Sequence, residues 1–398
     1  MGPLTGLKVL DLSRVLAGPF ATQVLADLGA LVWKVESPGG DDTRRWGPPF
    51  VGGESAYYLA ANRGKKSLAI NLKDPRGAAI VRELAGRADV LIENFKAGGL
   101  EKYGLDYPSL KEANPRLVYV SITGFGQTGP RAQEPGYDAA LQGITGLMSI
   151  TGEPDGPPIK VGVALIDVLT GWAAVAGILA ALLERERSGR GQHLDLSLFE
   201  VGLMSLVNQA QSYLVTGTAP RRLGNAHPQI VPYQAFQAKG GWFILAVGND
   251  AQFARMCRAI GREALARDPR FRTNADRVKN RDALIPVLAA VFRERGRDEW
   301  IQLFRAHGVP ATPVNDLAEA FADPQVEARG AIWELDHPTV GALRTVASVF
   351  QHFSRTPAAS AGPPPRLGEH TLEVLVEELG YREEELRALV QAGAIGSG

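Results

Sequence analysis

The chain has 398 residues, 45% of them hydrophobic and 22% charged, with 43 basic and 43 acidic side chains. That length exceeds what one hydrophobic core usually sustains and predicts two lobes. A net charge of zero argues against broad nucleic-acid binding, which needs a strong positive field, and the single cysteine, Cys257, excludes an internal disulfide and fits a reducing compartment.

The first half alternates strand and helix patterns. Leu7 to Leu12 reads as a strand, Pro19 to Leu28 as a helix opened by proline and stopped by Gly29, and Leu31 to Val35 as a strand. Ser67 to Leu72 looks extended, and Asp74-Pro75 then caps and starts a helix to about Ala85. Val90 to Ile92 and Leu117 to Ile122 are further short apolar strands. This rhythm predicts an α/β fold with a doubly wound, mostly parallel, Rossmann-like sheet.

Two long helical stretches follow, Ala164 to Arg187 and Phe199 to Leu214. Within the first, Val168 to Leu183 is an uncharged apolar run shorter than the ~20 residues of a membrane span. It reads as a core helix, so no membrane partner is expected. The break Thr216 to Gly224, rich in Gly, Pro and Arg, separates a large domain (1–215) from a smaller α+β domain (225–325). In the smaller domain Trp242 to Val247 reads as a strand and Arg281 to Arg295 as a helix. Cys257 lies in a helical stretch, Ala251 to Ile260, as a buried structural thiol. The remainder, 326–398, holds a Pro/Ala/Gly linker from Pro357 to Pro365 and a helical tail from Glu369 to Ala392, expected to return to the large domain. The N-terminal residues show no basic region followed by an apolar run, so a cytoplasmic protein is expected.

The six histidines are scattered, and the nearest two, His337 and His352, stand 15 residues apart. No metal site is expected from that spacing. Neither G-x-S-x-G nor G-x-x-x-x-G-K-[ST] occurs, and the first strand–turn–helix lacks G-x-G-x-x-G, which weakens the serine-hydrolase, nucleotide-hydrolase and dinucleotide readings. Asp167 is the informative carboxylate, placed where a strongly apolar helix begins. There it caps the helix, or it sits half-dry as a nucleophile or a base. The residues alone do not choose. The basic groups Arg44-Arg45 and Arg63-Gly-Lys-Lys66 are either solvated or, at strand ends, placed to hold phosphates. Tyr137 follows the Gly-rich loop Gly124 to Pro130, a composition found both in plain turns and in loops that cover sites.

Together, Leu10-Asp-Leu-Ser-Arg-Val-Leu-Ala-Gly-Pro19, Lys34-Val-Glu36, Gly40-Asp-Asp-Thr-Arg44, Asn62-Arg-Gly-Lys-Lys-Ser67 and Glu93-Asn-Phe95 resemble the class III CoA-transferases. Gly124-Phe-Gly126, Gly189-Arg-Gly-Gln192, Gly224-Asn-Ala-His-Pro228, Gly248-Asn-Asp250 and Leu367-Gly-Glu-His-Thr371 extend the likeness over nearly the whole chain. By that resemblance Asp167 matches the catalytic aspartate, which carries the acyl group as an anhydride and then coenzyme A (CoA) as a thioester. Tyr137 matches a position near the reacting acyl group. Contacts to CoA carry over onto Val15, Ile70, Asn94, Phe95 and Lys102, with Arg44 in the neighbouring loop. The resemblance further implies an interlinked homodimer, acyl-CoA and carboxylic acids as substrates, and no permanently bound cofactor.

Two departures narrow the reading. Formyl-CoA transferases carry glutamine where this chain has Leu16, and a glycine-rich flap where it has only Gly240-Gly241, which points away from formyl-CoA and oxalate. Racemases of the same fold resemble Gly-His-Asp where this chain reads Gly136-Tyr137-Asp138. A tyrosine of pKa ~10 is a poor second base for moving a proton across an α-carbon, so transfer is favoured over racemisation.

Overall fold

The computed structural model describes residues 2–396. Its principal sheet contains β1 (Lys8–Asp11), β2 (Leu31–Glu36), β3 (Lys65–Ala69), β4 (Val90–Glu93), β5 (Val118–Thr123) and β6 (His193–Ser197). All neighbouring pairs are parallel, in the order β3-β2-β1-β4-β5-β6. This is the doubly wound order, whose direction reverses between β1 and β4.

The strands are apolar on both faces because both are covered. Val9, Val32, Val90, Ile92, Val118 and Val120 pack with α1 (Ala17–Asp27) and α5 (Leu165–Ser188). Leu10, Trp33, Leu68, Leu91 and Tyr119 face α2 (Pro75–Ala85), α3 (Tyr107–Ala113) and the two C-terminal helices. Asp74 caps α2 by accepting from the Arg76 amide, and Pro75 occupies the first turn. The tail expected as one helical stretch is two, Thr371–Leu379 and Glu383–Gln391, separated where Gly380 turns left-handed at φ 74°. Beyond them, the Gly396 amide donates to the Ala69 carbonyl and Asn71 donates to Ala394, which covers the otherwise open edge at β3.

The α5 helix is long and apolar enough, by length and composition, to cross a bilayer. One side of it packs on α1, where Gly171 lets the helices approach: a Cβ there would lie 2.8 Å from the Ala17 carbonyl oxygen and from the Phe20 ring. The expected helix from Phe199 to Leu214 is interrupted. Helices α6 (Leu198–Ser205) and α7 (Val207–Thr216) are separated at Leu206, and α7 starts on a left-handed Val207, φ 40°.

The chain divides into two compact units, Met1–Leu147 with Val161–Leu214 and Glu327–Gly398, and Met148–Lys160 with Val215–Val326. The second unit holds a three-stranded antiparallel sheet of β7 (Tyr233–Ala238), β8 (Gly241–Ala246) and β9 (Ala311–Pro313), with β8 in the middle. Lys239 and Gly240, the latter at φ 81°, form the tight turn between β7 and β8, and Gly241 opens β8 at φ 149°. Phe236, Phe243, Phe292, Trp300 and Phe304 form its aromatic core. The helix Arg281–Phe292 ends three residues short of the expected stop, before Gly296 begins the next helix. Cys257 is fully buried in Asp250–Ala259, where burial pushes its thiol up to about 12.

Candidate active site

Chain segments leaving the carboxyl ends of β1, β4 and β5 meet in a cleft of about 250 Å³ beside the reversal point of the sheet. Open α/β sheets bind their ligands at such points. The β1 segment brings Arg14, Val15, Leu16 and Ala17; the β4 segment brings Asn94, Phe95 and Lys96; the β5 segment brings Thr123 and Gly124. Asp167, on the first turn of α5, and Tyr137 complete the wall.

Val15 is held at φ 70°, a left-handed conformation that a β-branched residue adopts only at a cost of about 1–3 kcal/mol. Asn94 grips the residue before it from both sides. Its side-chain oxygen accepts from the Arg14 amide at 2.9 Å, and its amide donates to the Arg14 carbonyl at 2.8 Å. The Arg14 guanidinium lies 5.7 Å from the Phe95 ring centre and 3.5 Å from Asp42. Across the cleft, Gly124 and Gly136 cross with almost no gap. A Cβ on Gly136 would stand 2.4 Å from the Gly124 Cα, so both positions must lack a side chain if the chain is to pass there.

That crossing leads into Tyr137, 71% exposed, and the buried Asp138 at the start of α4 (Asp138–Ile144). Asp138 caps α5 from a distance. Its carboxylate accepts from the Ile166 amide at 2.8 Å, the Asp167 amide at 3.3 Å and the Gln142 side chain at 2.7 Å. Gln142, buried one turn later, donates to Val163 and accepts from the Val161 amide, which fixes the approach to the helix. The Asp167 side chain makes no capping bond and, among the described residues, its carboxylate has no hydrogen-bond partner. Burial, and secondarily the Asp138 charge, push its carboxyl up to about 7. Asp167 is therefore a half-buried carboxylate aimed at a cleft and relieved of capping duty, able to act as a nucleophile or a base near neutrality.

Of the residues singled out from the sequence, Asp167, Tyr137, Val15, Asn94 and Phe95 meet in this cleft, and Arg44, Ile70 and Lys102 do not. The Arg44 guanidinium is committed to Glu36, with N–O distances of 2.7 Å, and to the Tyr58 hydroxyl and Pro365 carbonyl. Ile70 is 1% exposed and belongs to the core. Lys102 is exposed on a short turn, its ammonium 4.9 Å from the Tyr103 ring. In the basic run at 63–66 Arg63 and Lys65 are buried in ion pairs, and Lys66 stands partly exposed at the surface. Arg63 pairs with Asp27, Lys65 with Asp11, and Lys66 with Glu373. Among the described residues no group of three His, Cys, Asp or Glu side chains is arranged to hold a metal.

Sequence reasoning missed Asp138 and Trp46. The available signals were Asp138's place at a helix start beside Tyr137, and an aromatic among the Gly and Pro residues after the Gly40–Arg44 segment. Trp46 lines the cleft and packs edge-on against Tyr57.

Residues 4–371 match the family described as CoA-transferase family III. The chain is 50% identical over 385 residues to succinate–glutarate CoA-transferase of Agrobacterium fabrum, covering 94% of this chain and 95% of that protein. It is 45% identical to human succinyl-CoA:glutarate CoA-transferase, covering 99% and 90%. A crystal structure of a CaiB/BaiF family protein from Brucella suis superposes with a TM-score of 0.84 at 48% identity, covering 94% of this chain and 99% of that one. With a matching family region, relatives of this identity and the same architecture, the chain belongs to CoA-transferase family III and is a class III CoA-transferase.

Proposed function

We propose that this enzyme moves CoA from succinyl-CoA to a second dicarboxylic acid of about glutarate's size, with Asp167 as the acyl-carrying nucleophile. The observation that carries the mechanism is the unpartnered Asp167 carboxylate in the cleft, with Asp138 doing the capping in its place. Relatives named for succinate and glutarate at 45–50% identity support the substrate class.

In the proposed sequence an Asp167 oxygen attacks the thioester carbonyl, the C–S bond breaks, and CoA leaves as thiolate. The thiolate then attacks the γ-carbonyl of the resulting anhydride, and the donor acid departs with an oxygen from Asp167. The acceptor carboxylate attacks the aspartyl thioester, forms a new anhydride and releases the thiolate, which attacks the acceptor's carbonyl. This last step regenerates the Asp167 carboxylate. Each hard acyl exchange is thus split into easier steps. Val15, Asn94 and Phe95 are proposed to flank CoA. Lys102 is an exposed cation suited to its phosphates, and Tyr137 is a hydroxyl donor toward the acyl carbonyl. Arg44 would act only by holding the segment after β2.

The enzyme is further proposed to work as a homodimer. Leu183, Leu203, Met204, Val207 and Leu214 are each at least 42% exposed along α5, α6 and α7 in the single chain, an apolar surface of the kind that marks a partner contact. The test of function is to incubate the protein with succinyl-CoA and a panel of carboxylic acids and to measure new CoA esters by mass spectrometry. Glutaryl-CoA that disappears in Asp167→Asn supports the reading. Deuterium entering an α-carbon from heavy water without ester exchange refutes it.

A further inference from the structure

Behind the cleft lies a layer of buried charge whose bonds converge on the short connection between β1 and α1. The Ser13 amide donates to Asp11 at 2.9 Å, and its carbonyl accepts from Lys34 Nζ at 3.0 Å. The Val15 amide donates to both oxygens of Asp41, at 3.4 and 3.3 Å. Asp41 is the group that bonds the strained residue itself. Its carboxylate also takes Lys34 Nζ at 3.1 Å, the Thr43 amide at 3.0 Å and the Thr43 hydroxyl at 2.8 Å, and its side chain and that of Lys34 are wholly buried. Four donors suit a carboxylate, which only accepts. An amide has one acceptor oxygen and would turn its NH2 toward an ammonium or a peptide N–H.

We propose that Asp41, anchored by Lys34, is a positioning residue for CoA binding: it holds Val15 left-handed, so that the chain enters the cleft at Leu16 and Ala17. A β-branched residue keeps such a conformation only where its surroundings over-determine it. The inference rests on the reading that this cleft takes CoA.

The test is a double-mutant cycle, read by calorimetric titration with CoA on wild type, Asp41→Asn, Val15→Gly and the double variant. Glycine reaches positive φ without a side-chain penalty, so at position 15 it makes the grip of Asp41 redundant. Asp41→Asn is expected to weaken CoA binding about tenfold in the wild-type background and less than about threefold in the Val15→Gly background. KM for succinyl-CoA should rise in parallel, with kcat reduced less than about twofold. A merely structural Asp41 would lower the melting temperature and change affinity equally in both backgrounds, which overturns the proposal, as does an Asp41→Asn enzyme with wild-type affinity. If Asp41→Asn does not fold, Thr43→Val removes one donor from Asp41 and leaves its charge. It should weaken binding about two- to threefold, and not at all beside Val15→Gly. An equal effect in both backgrounds refutes the proposal. Wild type that fails to bind CoA overturns the reading of the cleft and this inference with it, whereas wild-type binding with an uncoupled cycle overturns only the role of Asp41.

Discussion

Replacing Asp167 by asparagine should change stability in a pH-dependent way whose sign separates two roles for the residue. Unfolded, its carboxyl ionises near ~3.9; folded, burial and the Asp138 charge hold its proton up to about 7. Between those values the folded chain binds more protons than the unfolded one, so stability falls as pH rises and the full penalty is reached above 7. Raising the carboxyl from ~3.9 to about 7 corresponds to ~4 kcal/mol, and partial exposure of the side chain reduces this to ~2–3 kcal/mol. Asp167→Asn should therefore match wild type near pH 4 and exceed it by roughly that amount at pH 8. An aspartate serving the helix terminus gives the opposite sign: its charge would be favourable by about 0.3–1 kcal/mol, and asparagine would be the less stable form at high pH. Urea unfolding of both proteins at intervals from pH 4 to 8.5, with midpoints and slopes compared, decides the matter. A difference that is flat with pH, or that favours wild type at pH 8, would refute the reasoning.

Other consequences follow from the same geometry. Asp138→Asn should move the acid limb of kcat/KM to lower pH, because the like charge beside Asp167 is gone; a pH–rate profile with an unmoved limb contradicts this. Asp138→Ala, which also strips the cap from α5, should lower stability by ~1–3 kcal/mol in denaturant titrations. Gly171→Leu must push α1 from α5, since even a Cβ there meets Ala17 and Phe20 at 2.8 Å. A loss of ~1–3 kcal/mol and a raised KM for acyl-CoA are expected, as calorimetry and kinetics will show. Lys65→Met leaves Asp11 buried beside fewer partners, and a cost of ~3–5 kcal/mol is expected in the unfolding midpoint. Cys257, buried and with its thiol held up to about 12, should resist iodoacetamide at pH 8 in the native protein and react on unfolding.

Much of the doubly wound sheet was legible because its signals are local. Asp74-Pro75 marks a helix start within two residues, and the apolar runs of β2, β4 and β5 match strands buried on both faces. The strand β6 escaped because His193-Leu-Asp-Leu-Ser197 alternates polar and apolar at the sheet's margin, where one side stays open to solvent. In the site, Asp167 stood out as a carboxylate inside an apolar run, but its chemistry did not. Whether it caps the helix depends on Asp138, 29 residues upstream, whose bonds exist only in the folded chain. Arg44 shows the same limit from the other side. Its charge invites a phosphate reading, and nothing near it in sequence reveals that Glu36 and Tyr58 claim it. Residue types and spacing identify chemistry that is available; pairing across strands decides which groups remain free to use it.

Covalent catalysis by this enzyme requires that Asp167 itself carry CoA. Incubating the enzyme with succinyl-CoA and no acceptor, quenching in acid and mapping the digest by mass spectrometry tests it directly. One CoA joined as a thioester with loss of water should appear on the peptide containing Asp167, disappear when glutarate is added before the quench, and be absent from Asp167→Asn. Undiminished CoA-ester formation by Asp167→Asn, or turnover with the adduct on another residue, would contradict it.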